Sequence, residues 1–314
     1  MSQPYQAVLL IAFGGPTSPE EIHPFLARVA KGLLIPPERL EEVARHYEAV
    51  GGKSPLNEIT FRQADDLRKL LQERGTALPV YVGMRNSEPF FVETLKQMAG
   101  DAVNRALGFV LSSHQTEASW ERYHQNIADA RDELGGNAPA IDYCVGWHDH
   151  PLFLQCWVEV IQTAVARIPD ERRESTPLIF TAHSIPIAMA ARSPYVDQLE
   201  TSARLIAEKL AHPRWSMAYQ SRSGKPADPW LEPDIGDVIR RLAREGCNEV
   251  IVAPIGFVCD HVEVLYDLDI EAKKIAGDLG VNLIRASCPN DHPTFIRMMA
   301  EVIEEKMKRT EDRA

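Results

Sequence analysis

At 314 residues, with 45% hydrophobic and 25% charged residues, the chain is long enough for one large or two medium domains and too apolar to be disordered away from its ends. Its formal charge of -11 argues against an extended nucleic-acid surface, which needs a concentrated basic footprint, but not against an anionic small molecule met by a few placed cations. No apolar run is long enough to cross a bilayer, and MSQPYQAVLLIAFGGP has no basic leader before its apolar segment, so no integral membrane association and a cytoplasmic location are expected.

The first apolar run, residues 6–13, reads as a buried strand that ends in the loop AFGGP. Helical patterning follows over 18–30, 38–49 and 60–74, then strands at 79–84, 107–113 and 141–145 with helices over 89–99, 119–133 and 151–167. A charged stretch, IPDERREST, interrupts the pattern at 168–176. Beyond it strands are predicted at 177–182, 215–219, 249–255 and 281–285, with helices over 196–210, 234–245, 260–274 and 293–309. Near-continuous hydrophobicity in the strands fits parallel strands covered on both faces. Their alternation with helices predicts doubly wound α/β layers. The expected division is a first domain over 1–168, a second over 169–292, and a terminal helix in 293–314 that returns to the first. AFGGP and TAHSIP stand at comparable places near the starts of the two halves, and open parallel sheets meet ligands at such carboxyl-end loops, so a crevice between the halves is expected.

Five cysteines, Cys144, Cys156, Cys247, Cys259 and Cys288, are scattered singly. They supply no compact ligand array, so neither a zinc site nor an iron–sulfur cluster can be argued from them, and no organic cofactor is expected. Gly14–Gly15 is too short to serve as a dinucleotide fingerprint.

Chemistry concentrates in two segments. His183, in LIFTAHSIP, follows an apolar strand; its imidazole could accept a proton near neutral pH or ligate a transition metal, or it could be a strand-end histidine held in a hydrogen-bond network. Glu263, in DHVEVLYDLDIE, stands three residues after Asp260, which also has the form of a helical capping box. Glu263, Asp267 and Glu271 recur every fourth residue, so a helix from about Asp260 places their carboxylates on one face, either as a proton or metal path or as a solvated acidic face. Nitrogen and carboxylate donors suit iron.

The segments LLIAFGGP, HYEAVGGKSPLNEIT, YVGMRNSEPF, LIFTAHSIP, SPYVDQL, YQSRSGKPADPWLEPD and PIGFVCDHVEVLYDLDIE, in this order, resemble the ferrochelatase family, in particular its soluble bacterial branch associated with coproporphyrin III. The resemblance covers nearly the whole chain. It implies two Rossmann-like chelatase domains with parallel sheets flanked by helices, and insertion of Fe2+, as substrate, into a porphyrin for haem biosynthesis. It implies that His183 and Glu263 are the catalytic and metal-handling pair, with Asp267 and Glu271 continuing an acidic relay. Porphyrin contacts carried over by the resemblance are Phe13, Lys31, His46, Tyr47, Ser54 and Tyr123. Ser54 and the two phenols can donate hydrogen bonds to propionates, and His46 can add charge when protonated. Tyr47 could equally be packing, and Ser54 before Pro55 could organise a turn. Arg28 and Lys31 could steer propionates or be solvated surface charges, and GLLIPP, residues 32–37, could form an apolar lip or pack inside. His114 is expected in a structural or positioning role, and Trp230 as a brace of the cleft or a core residue.

Two positions depart from the branch. His46 stands where an arginine is expected, and Phe13 stands where a tyrosine usually approaches the iron from the side opposite the catalytic histidine; a phenyl ring can pack on the macrocycle but cannot ligate iron. The leading expectation is therefore formation of iron coproporphyrin, with protoporphyrin IX as the alternative substrate. A cobalt or nickel chelatase and a noncatalytic tetrapyrrole carrier are the rival readings. Expected partners are the porphyrin, a transient iron donor and a haem-pathway acceptor.

Overall fold

Two four-stranded parallel sheets form the framework, and their central strands are the ones most nearly apolar throughout. The computed structural model describes residues 4–32, 35–144, 146–223 and 228–312. The first sheet contains β1 (Ala7–Ala12), β2 (Val80–Met84), β3 (Arg105–Val110) and β4 (Ala140–Tyr143), in the order β2-β1-β3-β4. The second contains β5 (Leu178–His183), β6 (Trp215–Gln220), β7 (Glu249–Ala253) and β8 (Asn282–Arg285), in the order β6-β5-β7-β8. Each sheet thus places its first strand between its second and third. The chain reverses its direction of strand addition there, and such a switch point is where open α/β sheets meet ligands.

The helices in chain order are α1 (Ile22–Val29), α2 (Pro37–Ala49), α3 (Leu56–Glu73), α4 (Phe91–Gly100), α5 (Arg122–Leu134) and α6 (Pro151–Val165). They continue as α7 (Asp170–Arg173), α8 (Ile187–Ala190), α9 (Tyr195–Lys209), α10 (Ile235–Arg244), α11 (Val262–Leu265), α12 (Lys273–Asp278) and α13 (Pro293–Glu311). Among the described residues none is long and apolar enough to cross a membrane.

Every residue of β1 is buried, which explains its unbroken AVLLIA pattern. Ala7, Leu9 and Ile11 share one face of the sheet and pack with Leu95, Met98 and Ile127 of α4 and α5. Each fully buried Leu or Ile contributes about 1.5–3 kcal/mol. In the second sheet Ile179, Val250 and Val252 pack with Ile239 and Leu242 of α10 and with Leu268 and Ala272.

The chain divides into two compact units. The first comprises the residues up to Ser112, Ala118–Trp147 and those from Asn290 onward; the second comprises Ser113–Glu117 and His148–Pro289. The boundary expected at the 168–176 charge run differs from this division, because α6 packs with the second unit. Its apolar side, including Phe153, Trp157 and Ile161, is buried, and α6 lies against α9 and β7. The last helix, α13, packs on α3 of the first unit, where Arg74 Nη1 meets Glu304 at 3.1 Å.

Candidate active site

In the second unit the switch point lies between β5 and β7. His183 is the last residue of β5, and the loop after β7 leads into the acidic segment. Gly256 lets the two come together: its amide donates to the Thr181 carbonyl at 3.1 Å, and a Cβ there would lie 2.6 Å from that of Ala182. A side chain at this position would drive the loop off the end of β5.

His183 Nδ1 lies 2.5 Å from the Ser184 carbonyl oxygen, which can only accept, so Nδ1 carries the hydrogen. The other ring nitrogen, Nε2, faces Glu263 Oε1 at 3.4 Å. Tyr195 holds the backbone beneath, its hydroxyl donating to the His183 carbonyl at 3.0 Å. The second Glu263 oxygen lies 3.3 Å from His261 Nε2, whose own Nδ1 donates to the Cys259 carbonyl at 3.1 Å. The side chains of His183 and Glu263 remain 29% and 39% exposed, so the pair is supported from below and open on one side.

Electrostatics follow from this packing. Burial works to lower the His183 pKa, but the charge and hydrogen bond of Glu263, the Ser184 carbonyl and the Asp267 charge outweigh it and raise the imidazole to about 9. Burial works the other way on Glu263, and the His183 and His261 imidazoles overcome it, holding this carboxyl below its ordinary range. Asp267 accepts a short hydrogen bond from the Ser221 hydroxyl. Burial, opposed by that hydroxyl and reinforced by the charges of Glu263 and Glu271, pushes Asp267 up to about 7. The acidic row is therefore graded: one carboxyl held ionised by imidazoles, the next poised near neutrality, and Glu271 exposed beyond them.

Two sequence expectations are corrected here. Asp260 is not the N-cap residue of the helix it precedes. Its carboxylate accepts from Arg285 Nη1 at 2.8 Å, the N-cap position falls to His261, and the His261 side chain makes no cap bond. Glu263 is thus released to face the two imidazoles. Nor is the 260–274 segment one regular helix. Between α11 and α12 the residues Asp267–Ala272 form a π-helical turn, in which the Glu271 amide bonds to the Tyr266 carbonyl five residues back. Such turns insert a residue into the helical ladder and are frequent at functional sites.

In the first unit the residues carried over as porphyrin contacts separate into groups. Phe13 lies just past β1, 36% exposed, in edge contact with Phe25, which in turn meets buried Tyr47 edge-on. Ser54 is buried against Gly15, and its hydroxyl accepts from the Leu56 amide at 3.3 Å, which is a turn-forming role. Tyr123 is buried at the start of α5. His46 is partly buried, and burial together with Arg39 and Arg45 lowers its pKa against the pull of Glu42, so the added charge expected at this position is absent at neutral pH. Arg28 is tied down, donating to the Asn86 carbonyl at 2.8 Å, while Lys31 is exposed beyond α1. Leu33 and Leu34 of the expected apolar lip lie outside the described residues.

His114 is 1% exposed and lies in the second unit, with Nδ1 2.8 Å from Ser113 Oγ and Nε2 3.0 Å from Ser202 Oγ. Burial and the neighbouring His148 push it down to about 3, so it is neutral at all ordinary pH. Trp230 bridges to Pro186 in the loop after His183.

Several residues around the pair escaped the sequence reading. Gln220, paired with His183 in the β5–β6 register, donates its side-chain amide to the Glu263 carbonyl at 2.6 Å. Ser221, which holds Asp267, follows it with φ of 62°. Position two residues before Glu263 was the only sequence signal for His261. Among the described residues, no group of three or more His, Cys, Asp or Glu side chains has the arrangement of a metal site.

The family model described as ferrochelatase matches residues 5–307. The chain belongs to the ferrochelatase family. Among its relatives, the coproporphyrin III ferrochelatase of Mycolicibacterium smegmatis is 41% identical over 306 residues, covering 96% of this chain and 90% of that protein. A ferrochelatase of Rhodopirellula baltica is 39% identical over 305 residues, covering 97% and 87%. The cobalt-bound sirohydrochlorin chelatase of Bacillus subtilis subspecies spizizenii aligns with a TM-score of 0.60 at 12% identity over 98% of this chain and 97% of its own, a likeness of fold alone. As a ferrochelatase-family member the chain is a metal-inserting lyase, with Fe2+ as substrate.

Proposed function

We propose that this ferrochelatase inserts Fe2+ into coproporphyrin III to form iron coproporphyrin, with His183 and Glu263 as the reacting pair. The observation that carries the reading is the 3.4 Å approach of His183 Nε2 to Glu263 Oε1 at the carboxyl end of β5. It is supported by 41% identity to a coproporphyrin III ferrochelatase across 96% of the chain.

Insertion exchanges two pyrrole protons for one Fe2+, so the protein must take protons and release a weakly held ion. With Nδ1 committed to the Ser184 carbonyl, Nε2 is the only His183 atom that can accept a pyrrole proton or touch the metal. Before metal arrives, the Glu263 charge keeps that nitrogen protonated. Fe2+ approaching Glu263 withdraws this stabilising charge, Nε2 gives up its proton toward Asp267, and the neutral imidazole can then accept a pyrrole proton as the metal reaches the ring. Protons then leave by way of Asp267, whose pKa of about 7 lets it change state near neutral pH, and exposed Glu271. A nitrogen and a carboxylate bind iron without enclosing it, which suits transfer more than storage.

In this reading Phe13, Tyr47, Ser54, Tyr123, His46 and Lys31 line or approach the porphyrin, and the enzyme works in the cytoplasm between a transient iron donor and a haem-pathway acceptor. Purified protein assayed anaerobically with Fe2+ and either coproporphyrin III or protoporphyrin IX tests it. Multiple turnovers with a preference for coproporphyrin III are expected. Preferential turnover of protoporphyrin IX would overturn the substrate, and stable porphyrin binding without metallation would overturn the enzyme.

A further inference from the structure

Several arginines of this chain are held by acceptors. Arg285 is held by Asp260 and Asp269, Arg28 by the Asn86 carbonyl, and Arg74 by Glu304. Arg85 is different. It follows β2 at the carboxyl end of the first sheet, its backbone amide bonded to the Ala12 carbonyl at 3.0 Å, and its side chain is partly buried. Among the described residues no carboxylate or carbonyl accepts from its guanidinium. What holds it is the ring of Phe13, 5.9 Å from the guanidinium carbon to the ring centroid. A cation over a ring face is oriented without spending any of its N–H donors.

Other donors gather nearby. Tyr123 interacts electrostatically with Arg85, and its hydroxyl has no hydrogen-bond partner among the described residues. The residue after Arg85, Asn86, is 3% exposed, and its Nδ2 has no acceptor either. Burial lowers the Arg85 pKa, opposed by Tyr123 and reinforced by the second guanidinium of Arg122. A desolvated cation beside further unpaired donors is costly unless an anion completes it.

We infer that Arg85, oriented by Phe13 and assisted by Tyr123, binds a carboxylate of the tetrapyrrole substrate and sets the preference for a carboxylate-rich porphyrin. The guanidinium fork matches a carboxylate bidentately, and the phenol adds one further donor. The arrangement supplies in the first unit the fixed positive charge that neutral His46 does not. The inference rests on the proposed porphyrin reaction, and it makes Arg85 a specificity residue for binding, with no part in metal transfer.

Porphyrin affinity of the iron-free full-length protein, read by fluorescence quenching, tests this. The ligands are coproporphyrin III and its tetramethyl ester, the latter in dilute detergent, and the proteins are wild type, Arg85→Leu and Arg85→Lys, with circular dichroism melts to verify folding. For Arg85→Leu the dissociation constant of coproporphyrin III is expected to rise at least tenfold, while that of the ester changes less than twofold. Arg85→Lys should restore part of the loss, and added salt should weaken the acid in wild type more than in Arg85→Leu. Unchanged affinity for the acid, or equal losses for acid and ester, would overturn the inference. Wild-type protein that binds coproporphyrin III without metallating it would overturn the proposed reaction and leave the carboxylate site standing; wild-type protein that binds neither ligand would overturn both.

Discussion

Gln220 donates its side-chain amide to the main-chain carbonyl of Glu263 at 2.6 Å, tying the end of β6 to the first turn of the acidic segment. Gln220 is also the strand neighbour of His183, and its own carbonyl accepts from the Ser184 amide at 2.7 Å. One residue therefore sets the positions of both members of the pair. Gln220→Leu keeps the volume and removes the donor, at about 1–3 kcal/mol for the unpaired carbonyl. The KM for Fe2+ is expected to rise several-fold, with porphyrin affinity within twofold of wild type; steady-state kinetics with each substrate varied separately would expose an equal effect on both, and that result would reduce Gln220 to a folding role.

His183→Ala removes Nε2, the ring nitrogen of His183 left open to a pyrrole proton. Metallation should fall about 10²–10⁴-fold, the usual contribution of a general base. Glu263→Gln is now a clean companion, since no helix cap depends on that side chain. Initial rates under anaerobic conditions decide the matter, and near-normal turnover in either folded variant would remove that residue from the reaction.

The pH dependence of stability separates the three titrating groups. His183 is raised from 6.5 to about 9, so its contribution is complete below 6.5 and disappears as pH rises through about 9. Glu263 is lowered from 4.5, so its contribution is present above 4.5 and disappears as pH falls through the lower folded value. Their coupling, measured by a double-mutant cycle of melting temperatures, should be largest between about pH 5 and 7 and shrink toward pH 10. Asp267 behaves oppositely to an ordinary paired carboxylate. It is raised from 3.8 to about 7, so the folded state is favoured while it is protonated and that advantage is lost as pH rises through 7. The melting temperature of Asp267→Asn should accordingly exceed wild type by a margin that grows from pH 4 to 7 and then levels off; a margin independent of pH would contradict the assignment.

Gly256→Val tests how the pair is brought together. A Cβ at this position meets Ala182 at 2.6 Å, and overpacking of this kind costs about 1–3 kcal/mol. Chemical denaturation should register the loss, and activity should fall further than stability because the displaced loop carries the approach to Glu263. Full activity in the variant would show that the loop yields freely.

Much of this was legible beforehand, for identifiable reasons. Strands such as AVLLIA are buried on both faces, so their apolar runs mark them without any partner being known. His183 was readable because it interrupts such a run at its end. The capping box around Asp260 misled because its acceptor role is filled by Arg285, a residue 25 positions away. The four-residue spacing of the acids suggested a regular helix, since nothing in that spacing reveals a carbonyl shared five residues back at Tyr266. Arg85, in MRNSEPF, looks like any surface charge; only the tertiary structure leaves it over Phe13 with no acceptor among the described residues.

Helix α13 belongs to the first unit although it follows the whole second unit in sequence, lying against α3, with the Tyr5 and Thr310 hydroxyls 3.1 Å apart. On the ribosome the face of α3 that α13 covers therefore stays open until residues 293–311 have been synthesised. The second unit, whose segments emerge earlier, can finish folding first, so the order of completion runs against the order of synthesis.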